Sequence, residues 1–231
     1  MLRQKSFQSA VLATHWKNPN DKEIKPLLQP DLYGPYRDAM KAVMEQTREM
    51  IEASGREYES LHGEKLYEHL ICRIKSDESM AEKLRRYGCE ADARHALRAA
   101  DDAIGIRVIC LFIDDVYETA RRIRAFPGCT IVREKDYIRN AKPNGYRSYH
   151  LILDVEADQP DIDGHIPGHY LVEIQLRTIA MDTWAALEHE LKYKKSIDHQ
   201  DLIVQELHRC ANELAACDVS MQTLKRIIRG T

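Results

Sequence analysis

The feature that most constrains the fold is the apolar run at 104–113, IGIRVICLFI. Its β-branched residues and its lack of alternation indicate a strand that is buried on both faces, as in the middle of a sheet. An amphipathic helix is predicted directly after it at 114–126, with Asp114 or Asp115 able to cap the first turn. Further short strands are predicted at 129–133, 149–155 and 170–176.

Helices are predicted on both sides of these strands. Pro35 marks the start of a helix that runs to about residue 53, and the charged stretch 77–100 indicates one or two helices broken near Gly88. Segment 66–75 fits a helix and a strand equally well. Two more helices are predicted at 178–195 and 200–229. Strands interspersed with helices indicate an α/β or α+β domain.

The length of 231 residues suits a single domain, which we place at 31–231 after a polar lead-in at 1–30. The net charge of −3 gives no support to RNA binding or to a polybasic membrane anchor. No run approaches the roughly 18 apolar residues of a membrane span, and the first residues lack the apolar core of a signal peptide. The six cysteines form no CxxC pair. These features predict a cytoplasmic protein.

Several common motifs of nucleotide and metal chemistry are missing from the sequence. It contains neither GxxxxGK[ST] nor GxGxxG, which excludes a P-loop and a Rossmann fingerprint. His189 and Glu190 begin an HExxH pattern, but Tyr193 stands where the second histidine would be. A His-Asp dipeptide is typical of one class of metal phosphohydrolase, and the chain contains none, which excludes that class. Chemistry must therefore be sought in less common patterns.

The segment 142–150, KPNGYRSYH, combines cations with aromatic rings. Lys142 and His150 offer hydrogen-bond donors to a phosphate, Tyr146 offers a ring for stacking, and Gly145 permits a turn. Alternation along a strand would place Tyr146, Ser148 and His150 on one face. Such a face suits a purine nucleotide. A tyrosine-rich hairpin with solvated charges explains the pattern equally well.

A second polar pattern lies in 172–178, VEIQLRT, where Glu173, Gln175 and Arg177 share one strand face. A row of this kind faces either solvent or a cleft. Asp102 precedes the buried strand at 104–113, and Arg107 interrupts its apolar run, which is costly unless the charge is paired or functional. Asp102 together with Glu173 would make a reasonable pair of Mg²⁺ ligands on a polyphosphate.

Three of these segments together resemble a known family. NGYRSYH, VEIQLRT and the phrase IAMDTWAALEHELKYK at 179–194 are similar to the synthetase domain of RelA/SpoT-type proteins, and the likeness is greatest to the small alarmone synthetases. The resemblance covers a catalytic core at about 66–195. It implies a nucleotidyltransferase-like fold with a mixed central sheet of about five strands flanked by helices, and a helical C-terminal extension.

The resemblance also implies roles for individual residues. Asp102 is expected to bind magnesium, and Glu173 to activate the acceptor hydroxyl and to contact the same metal. ATP is expected to contact six residues, namely Arg73, Lys75, Ser79, Lys83, Arg107 and Lys135. The acceptor, GTP or GDP, is expected to contact Lys142, Tyr146, His150, Gln175, Arg177 and Asp182.

The implied reaction moves a diphosphate from ATP to the 3′-hydroxyl of GTP or GDP and releases AMP, giving pppGpp or ppGpp. Asp182 departs from the expected pattern, because an Asn is expected there to read the acceptor base. Two alternatives stay open. One is a toxic relative that modifies an adenosine nucleotide or the tRNA 3′ end. The other is a non-catalytic nucleotide- or RNA-binding module, against which the presence of both Asp102 and Glu173 argues.

The last predicted helix carries an apolar seam with spacings of four and three residues. This period is typical of helix-on-helix packing, within the chain or between subunits. Small alarmone synthetases are homotetramers, so the resemblance predicts a homotetramer held in part by this helix. The seam consists of Ile203, Leu207, Cys210, Leu214, Cys217, Met221, Leu224 and Ile228.

Overall fold

The computed structural model describes residues 31–193 and 200–230. The predicted lead-in at 1–30 and the end of the core at 194–195 lie outside these residues, and the described residues form one compact unit. In chain order the elements are α1 (Arg37–His62), β1 (His69–Ile74), α2 (Asp77–Arg86), α3 (Ala93–Arg98), β2 (Ile104–Cys110), α4 (Ile113–Ile123), β3 (Cys129–Asp136), β4 (Tyr149–Ala157), β5 (Gly168–Thr178), α5 (Ile179–Tyr193) and α6 (Gln200–Arg229).

The five strands form one mixed sheet in the order β1-β2-β5-β4-β3. Only β2 and β5 run parallel, and the three remaining neighbouring pairs are antiparallel. The predicted mixed five-stranded sheet is therefore confirmed. The buried run at 104–113 supplies β2, while the ambiguous segment 66–75 supplies the edge strand β1.

One face of the sheet forms the hydrophobic core. Side chains of alternate residues in the central strands, such as Ile106 and Ile174, are almost completely buried there. Helices α1 and α4 cover this face with residues that include Val43 and Ala120. Each fully buried aliphatic side chain contributes roughly 1.5–3 kcal/mol, so this face holds the sheet together. The opposite face of the sheet carries mostly polar and charged side chains.

The prediction that Asp114 or Asp115 caps α4 is wrong. Phe112 is the N-cap residue and makes no side-chain cap bond, so both acids lie in the first turn of the helix. There they bind α6 instead. Asp115 forms a buried ion pair with Lys225, and Asp114 accepts hydrogen bonds from Gln222 (2.6 Å) and Arg226 (3.1 Å).

In the second half of helix α6, polar side chains face the domain and apolar side chains face the solvent. Its buried side chains there are Asp218, Gln222 and Lys225, rather than apolar residues. The predicted seam is therefore divided. Its first half is half-buried, and Leu214 lies beside Trp184 of α5. Its second half is exposed, with 48% of Met221, 53% of Leu224 and 83% of Ile228 accessible to solvent. None of the described helices is long and apolar enough to cross a membrane.

Candidate active site

The register of the five strands places two rows of side chains on the face of the sheet opposite α1 and α4. Residues paired across neighbouring strands point to the same face, so the rows follow directly from the pairing. The first row is Arg73, Gly105, Glu173, Ile152 and Arg133. The second row is Ile71, Arg107, Gln175, His150 and Lys135. The predicted sharing of one face by Glu173 and Gln175 is thus confirmed, and the face is a cleft lined by charges.

Asp102 lies at the mouth of this cleft, just before β2. Its carboxylate is only 20% exposed and binds two lysines, with Lys75 Nζ and Lys83 Nζ each 2.8 Å from one oxygen. Burial alone would raise the pKa of Asp102, but the two ammonium groups outweigh it and the net shift is downward. Asp102 is therefore an anion whose two oxygens already face positive charge.

Glu173 stands at the centre of the first row. His150 Nδ1 lies 3.1 Å from one carboxylate oxygen, and Gln175 Nε2 donates to the other at 2.8 Å. Burial raises the pKa of this carboxyl, but the bonds from His150 and Gln175 lower it further than burial raises it. Glu173 is therefore ionised at neutral pH and able to accept a proton.

A hydrogen-bonded chain continues from Glu173 to an arginine. Tyr146 Oη lies 2.8 Å from His150 Nε2 and accepts from Arg177 Nη2 at 2.8 Å. With a proton on His150 Nδ1 shared with Glu173, the Nε2 accepts from the tyrosine hydroxyl, and each donor of the chain meets an acceptor. The chain fixes the orientation of both rings beside Glu173.

Asp182 joins two arginines at the side of the cleft. Its Oδ1 lies 2.9 Å from Arg177 Nη1 and 3.2 Å from Arg107 Nη1. The Nε atoms of both arginines are buried without a hydrogen-bond partner in the described structure. Burial lowers the pKa of Arg107, and the nearby charge of Arg177 lowers it further. Two clustered guanidinium groups with unused donors make this side of the cleft suitable for a polar ligand.

The loop at 137–148 carries the aromatic part of the site. The Lys142 ammonium lies 4.6 Å from the ring centres of both Tyr137 and Tyr146, and the Tyr137 ring meets the His150 ring edge-on at 5.3 Å. Sequence reasoning missed Tyr137, because an aromatic residue directly after a strand carries no periodic signal. Ser148 precedes β4, is buried, and donates to the carbonyl of Leu176 at 3.1 Å, so its hydroxyl is already used within the sheet.

Gly145 allows this loop to rest on α6. Its φ is +90°, and a Cβ atom added there would lie 2.5 Å from the Cβ of Ala211. Arg147 fastens the same contact through a hydrogen bond to the Ala211 carbonyl at 3.3 Å. The loop that holds Lys142 and Tyr146 is therefore supported by the C-terminal helix.

The remaining predicted residues lie around the cleft. Arg73 and Lys135 occupy the ends of the two rows, on β1 and β3, and are exposed. Ser79 lies in the first turn of α2, where its hydroxyl bonds Ser76 at 2.9 Å. A cavity of about 120 Å³ lies between β1, β2 and β5 and is lined in part by Arg73, Asp102 and Glu173. Of the predicted ATP residues, Arg73 and Arg107 thus share this cavity with the two acids, whereas Lys135 lies on β3 at the other edge of the sheet, beside His150.

Two other polar clusters lie away from this cleft. Asp161, Asp163 and His165 come together between β4 and β5. Asp161 accepts backbone bonds from Asp163 (2.9 Å) and His165 (3.0 Å) and a bond from Arg98 (2.8 Å), which explains the cluster as a structural turn. A larger cavity of about 430 Å³ lies between α1, α4 and α6, and it contains none of the predicted site residues.

Comparison with known proteins agrees with this geometry. Residues 72–198 match the family model described as the region found in RelA/SpoT proteins. The chain is 38% identical over 170 residues to the GTP pyrophosphokinase YwaC of Bacillus subtilis, a match that covers 74% of this chain and 79% of YwaC. It is 33% identical over 169 residues to the GTP pyrophosphokinase YjbM of the same species, covering 73% and 76%. Its fold is similar to that of small alarmone synthetase 1 from B. subtilis bound to its product pppGpp, with a TM-score of 0.69, 30% identity and coverage of 83% and 93% of the two chains.

Proposed function

The chain belongs to the RelA/SpoT family, and we propose from that premise how its cleft carries out the reaction of a GTP pyrophosphokinase. The predicted enzyme class is confirmed: the protein is a synthetase of the alarmones (p)ppGpp. The observation that carries the mechanism is the position of Glu173. It lies between the cations around Asp102 on one side and the aromatic loop around Tyr146 on the other.

ATP binds on the side of the cleft formed by β1, β2 and α2. The guanidinium groups of Arg73 and Arg107 lie over the sheet there and offer planes on which adenine can stack. Lys75 and Lys83 stand beside Asp102, where the phosphates must come. Ser79 adds a hydroxyl on α2 at this side, while Lys135 adds a charge from β3, at the far edge of the sheet.

The residues fit a magnesium ion. Asp102 offers two hard oxygen ligands, which in the structure face two ammonium groups, and Glu173 offers a third oxygen in the same cavity. When bound, Mg²⁺ would neutralise charge on the polyphosphate. With Asp102 engaged as a metal ligand, Lys75 and Lys83 would be able to bind phosphate oxygens instead.

The acceptor nucleotide binds on the β4 side. Tyr146 stacks on its base and Lys142 donates to its 5′-phosphates. His150 donates to the same phosphates when the nucleotide displaces its ring from Tyr146 or Glu173. Gln175, Arg177 and Asp182 surround the base and the ribose. The oxygens of Asp182 can accept from the N1–H and N2–H₂ donors of guanine, so an aspartate at this position is compatible with a guanine acceptor.

Glu173 accepts the proton of the ribose 3′-hydroxyl. The freed oxygen attacks the β-phosphorus of ATP, the bond between this phosphorus and the oxygen that bridges it to the α-phosphorus breaks, and AMP leaves with the bridging oxygen. Cationic side chains stabilise the charge that develops on the phosphates. Positioning of the two nucleotides on opposite sides of Glu173 supplies the remaining part of the rate.

The choice of acceptor is tested by incubating the purified chain with Mg²⁺, labelled ATP and one acceptor at a time. We expect product with GTP and GDP. Product with ATP, ADP or tRNA in place of the guanosine nucleotides would support the toxic relative instead. Binding of nucleotides without product would support the non-catalytic module. The proposed site of action is the cytoplasm, where both substrates occur.

Replacing Tyr146 by Ala should raise the KM for the acceptor about 10-fold or more and leave the KM for ATP nearly unchanged. The reason is that base–aromatic stacking contributes roughly 1–3 kcal/mol. The Tyr146→Phe variant is the matched control, because it keeps the ring and loses only the hydroxyl bonds to His150 and Arg177. Steady-state kinetics with each nucleotide varied would measure both values. Equal changes for the two nucleotides would refute the assignment.

The protein is proposed to form a homotetramer through α6. The exposed half of its seam, Met221, Leu224 and Ile228, is an apolar strip beside the polar face that anchors the helix to the domain. Such a strip can be buried by packing against the same strip of another copy of the chain in a symmetric interface.

The double variant Leu224→Asp with Ile228→Asp should dissociate the assembly to smaller species, as measured by light scattering at micromolar concentration. Leu214 is unsuitable for this test, because it contacts the cavity beside Trp184 within the same chain. Val204→Asp is the control, since Val204 is also exposed on α6 but lies on a different face. A wild-type chain that is monomeric under these conditions would contradict the proposal.

A further inference from the structure

Tyr137 contacts three of the residues that the acceptor nucleotide is proposed to use. Its ring centre lies 4.6 Å from the Lys142 ammonium, 5.3 Å from the centre of the His150 ring and 6.0 Å from that of the Tyr146 ring. Both aromatic contacts are edge-on, with interplanar angles of 89° and 69°. No step of the proposed reaction uses Tyr137, although it contacts all three of these side chains.

Local backbone bonds fix the position of Tyr137. Its N–H donates to the carbonyl of Ser148 at 2.9 Å, which ties the start of the aromatic loop to its end. The carboxylate of Asp136 accepts from the N–H groups of Ile138 and Arg139, each at 2.9 Å, and turns the chain directly after Tyr137. The Tyr137 side chain is half-buried. Its ring is therefore a fixed surface on which a longer and more flexible side chain can rest.

Lys142 is held in a different way from other cations of the cleft. Lys75, Lys83 and Arg177 are each paired with a carboxylate. Among the described residues, the Lys142 ammonium has neither an ion pair nor a hydrogen bond, and it rests on two tyrosine rings whose centres are each 4.6 Å away. A cation–π contact attracts an ammonium group without supplying a counter-charge. The charge of Lys142 is therefore held in place without being neutralised.

The two rings matter because the Lys142 side chain is exposed. An exposed lysine loses conformational freedom when it binds a ligand, and holding it in place beforehand reduces that loss. Tyr146 also stacks on the acceptor base, so Tyr137 is the ring able to keep Lys142 in place while the base is bound. We propose that Tyr137 is a positioning residue that holds the Lys142 ammonium ready for the 5′-phosphates of the acceptor. This inference rests on the proposed function.

The Tyr137→Leu variant removes the ring and keeps an apolar side chain. We expect the KM for GTP to rise about 5- to 10-fold and the KM for ATP to stay unchanged, because the contact of the ring with Lys142 is lost. Tyr137→Phe is the matched control, since it keeps the ring, and its KM for GTP should equal that of the wild type. Steady-state kinetics with each nucleotide varied measures both values. Thermal unfolding identifies variants that fold, and Tyr137→Met takes the place of Tyr137→Leu if the leucine variant does not.

A double-mutant cycle with Lys142→Met separates positioning from a purely structural role. If Tyr137 acts through Lys142, Tyr137→Leu should raise the KM for GTP no further when Lys142 is already Met. Additive effects of the two substitutions, an equal rise in both KM values, or an unchanged KM for GTP in Tyr137→Leu would each overturn the inference. So would a rise in Tyr137→Phe as large as that in Tyr137→Leu. Failure of the proposed function has a different signature, because the wild-type chain would then make no pppGpp from ATP and GTP.

Discussion

The Glu173→Gln variant should lose nearly all synthesis of pppGpp, with kcat about 100-fold or more below that of the wild type. Glutamine has the shape of glutamate and can still accept the bond from His150, but its amide cannot take the proton of the 3′-hydroxyl. ATP binding should change much less than turnover, because the lysines placed at its phosphates surround Asp102 rather than Glu173. Product formation under saturating nucleotide measures kcat, and calorimetry measures ATP binding.

Gln175→Glu is an informative partner to this variant, because the two residues are adjacent on the same strand face and joined by a 2.8 Å hydrogen bond. The double variant Glu173→Gln with Gln175→Glu should stay inactive. Its carboxylate would lie in the second row, two residues along the strand from the position where the proton must be accepted. Near wild-type turnover in Glu173→Gln itself would show that another group accepts the proton.

The Asp102→Asn variant should also lose about 100-fold or more in turnover, for a different reason. A neutral amide is a much weaker ligand for Mg²⁺, and metal ions contribute several kcal/mol to phosphoryl transfer. It also leaves the ammonium groups of Lys75 and Lys83 close together without the anion that they share. We therefore expect a loss that is partly reversed by higher Mg²⁺, which a titration of activity against Mg²⁺ measures.

Asp38→Asn is the control for this titration, because Asp38 is 91% exposed and pairs only with Lys41 among the contacts of the described structure. Its Mg²⁺ dependence should match that of the wild type. An Asp102→Asn chain with unchanged turnover at every Mg²⁺ concentration would remove Asp102 from the proposed metal site.

Much of the cleft could be predicted from local sequence patterns. The period of two in 172–178 is sufficient to place Glu173 and Gln175 on one face, and the apolar run at 104–113 identifies the central strand beside them. The break near Gly88 also separates two helices as expected. Each of these features depends on residues that are close in sequence, where periodicity carries information.

Features that depend on distant contacts could not be predicted in this way. A one-residue shift of register at Val132, a β-bulge in β3, reverses the face on which Arg133 lies, and a period-two pattern gives the wrong face for it. The contact of Lys142 with Tyr137 depends on how a loop folds back. The polar inner face of α6 depends on Asp114 and Asp115, which are about 110 residues away from their partners. The apolar seam in the sequence therefore does not identify which side of this helix packs against its own domain.

The central claim is that both outer phosphates of ATP move together to the 3′-oxygen of a guanosine nucleotide. It is tested most directly with ATP that carries radioactive phosphorus at the β position, incubated with GTP, Mg²⁺ and the purified chain. We predict that the label appears in pppGpp, with one unlabelled AMP formed for each pppGpp. Label that stays in ADP, or that passes to an adenosine nucleotide or to tRNA, would contradict the account.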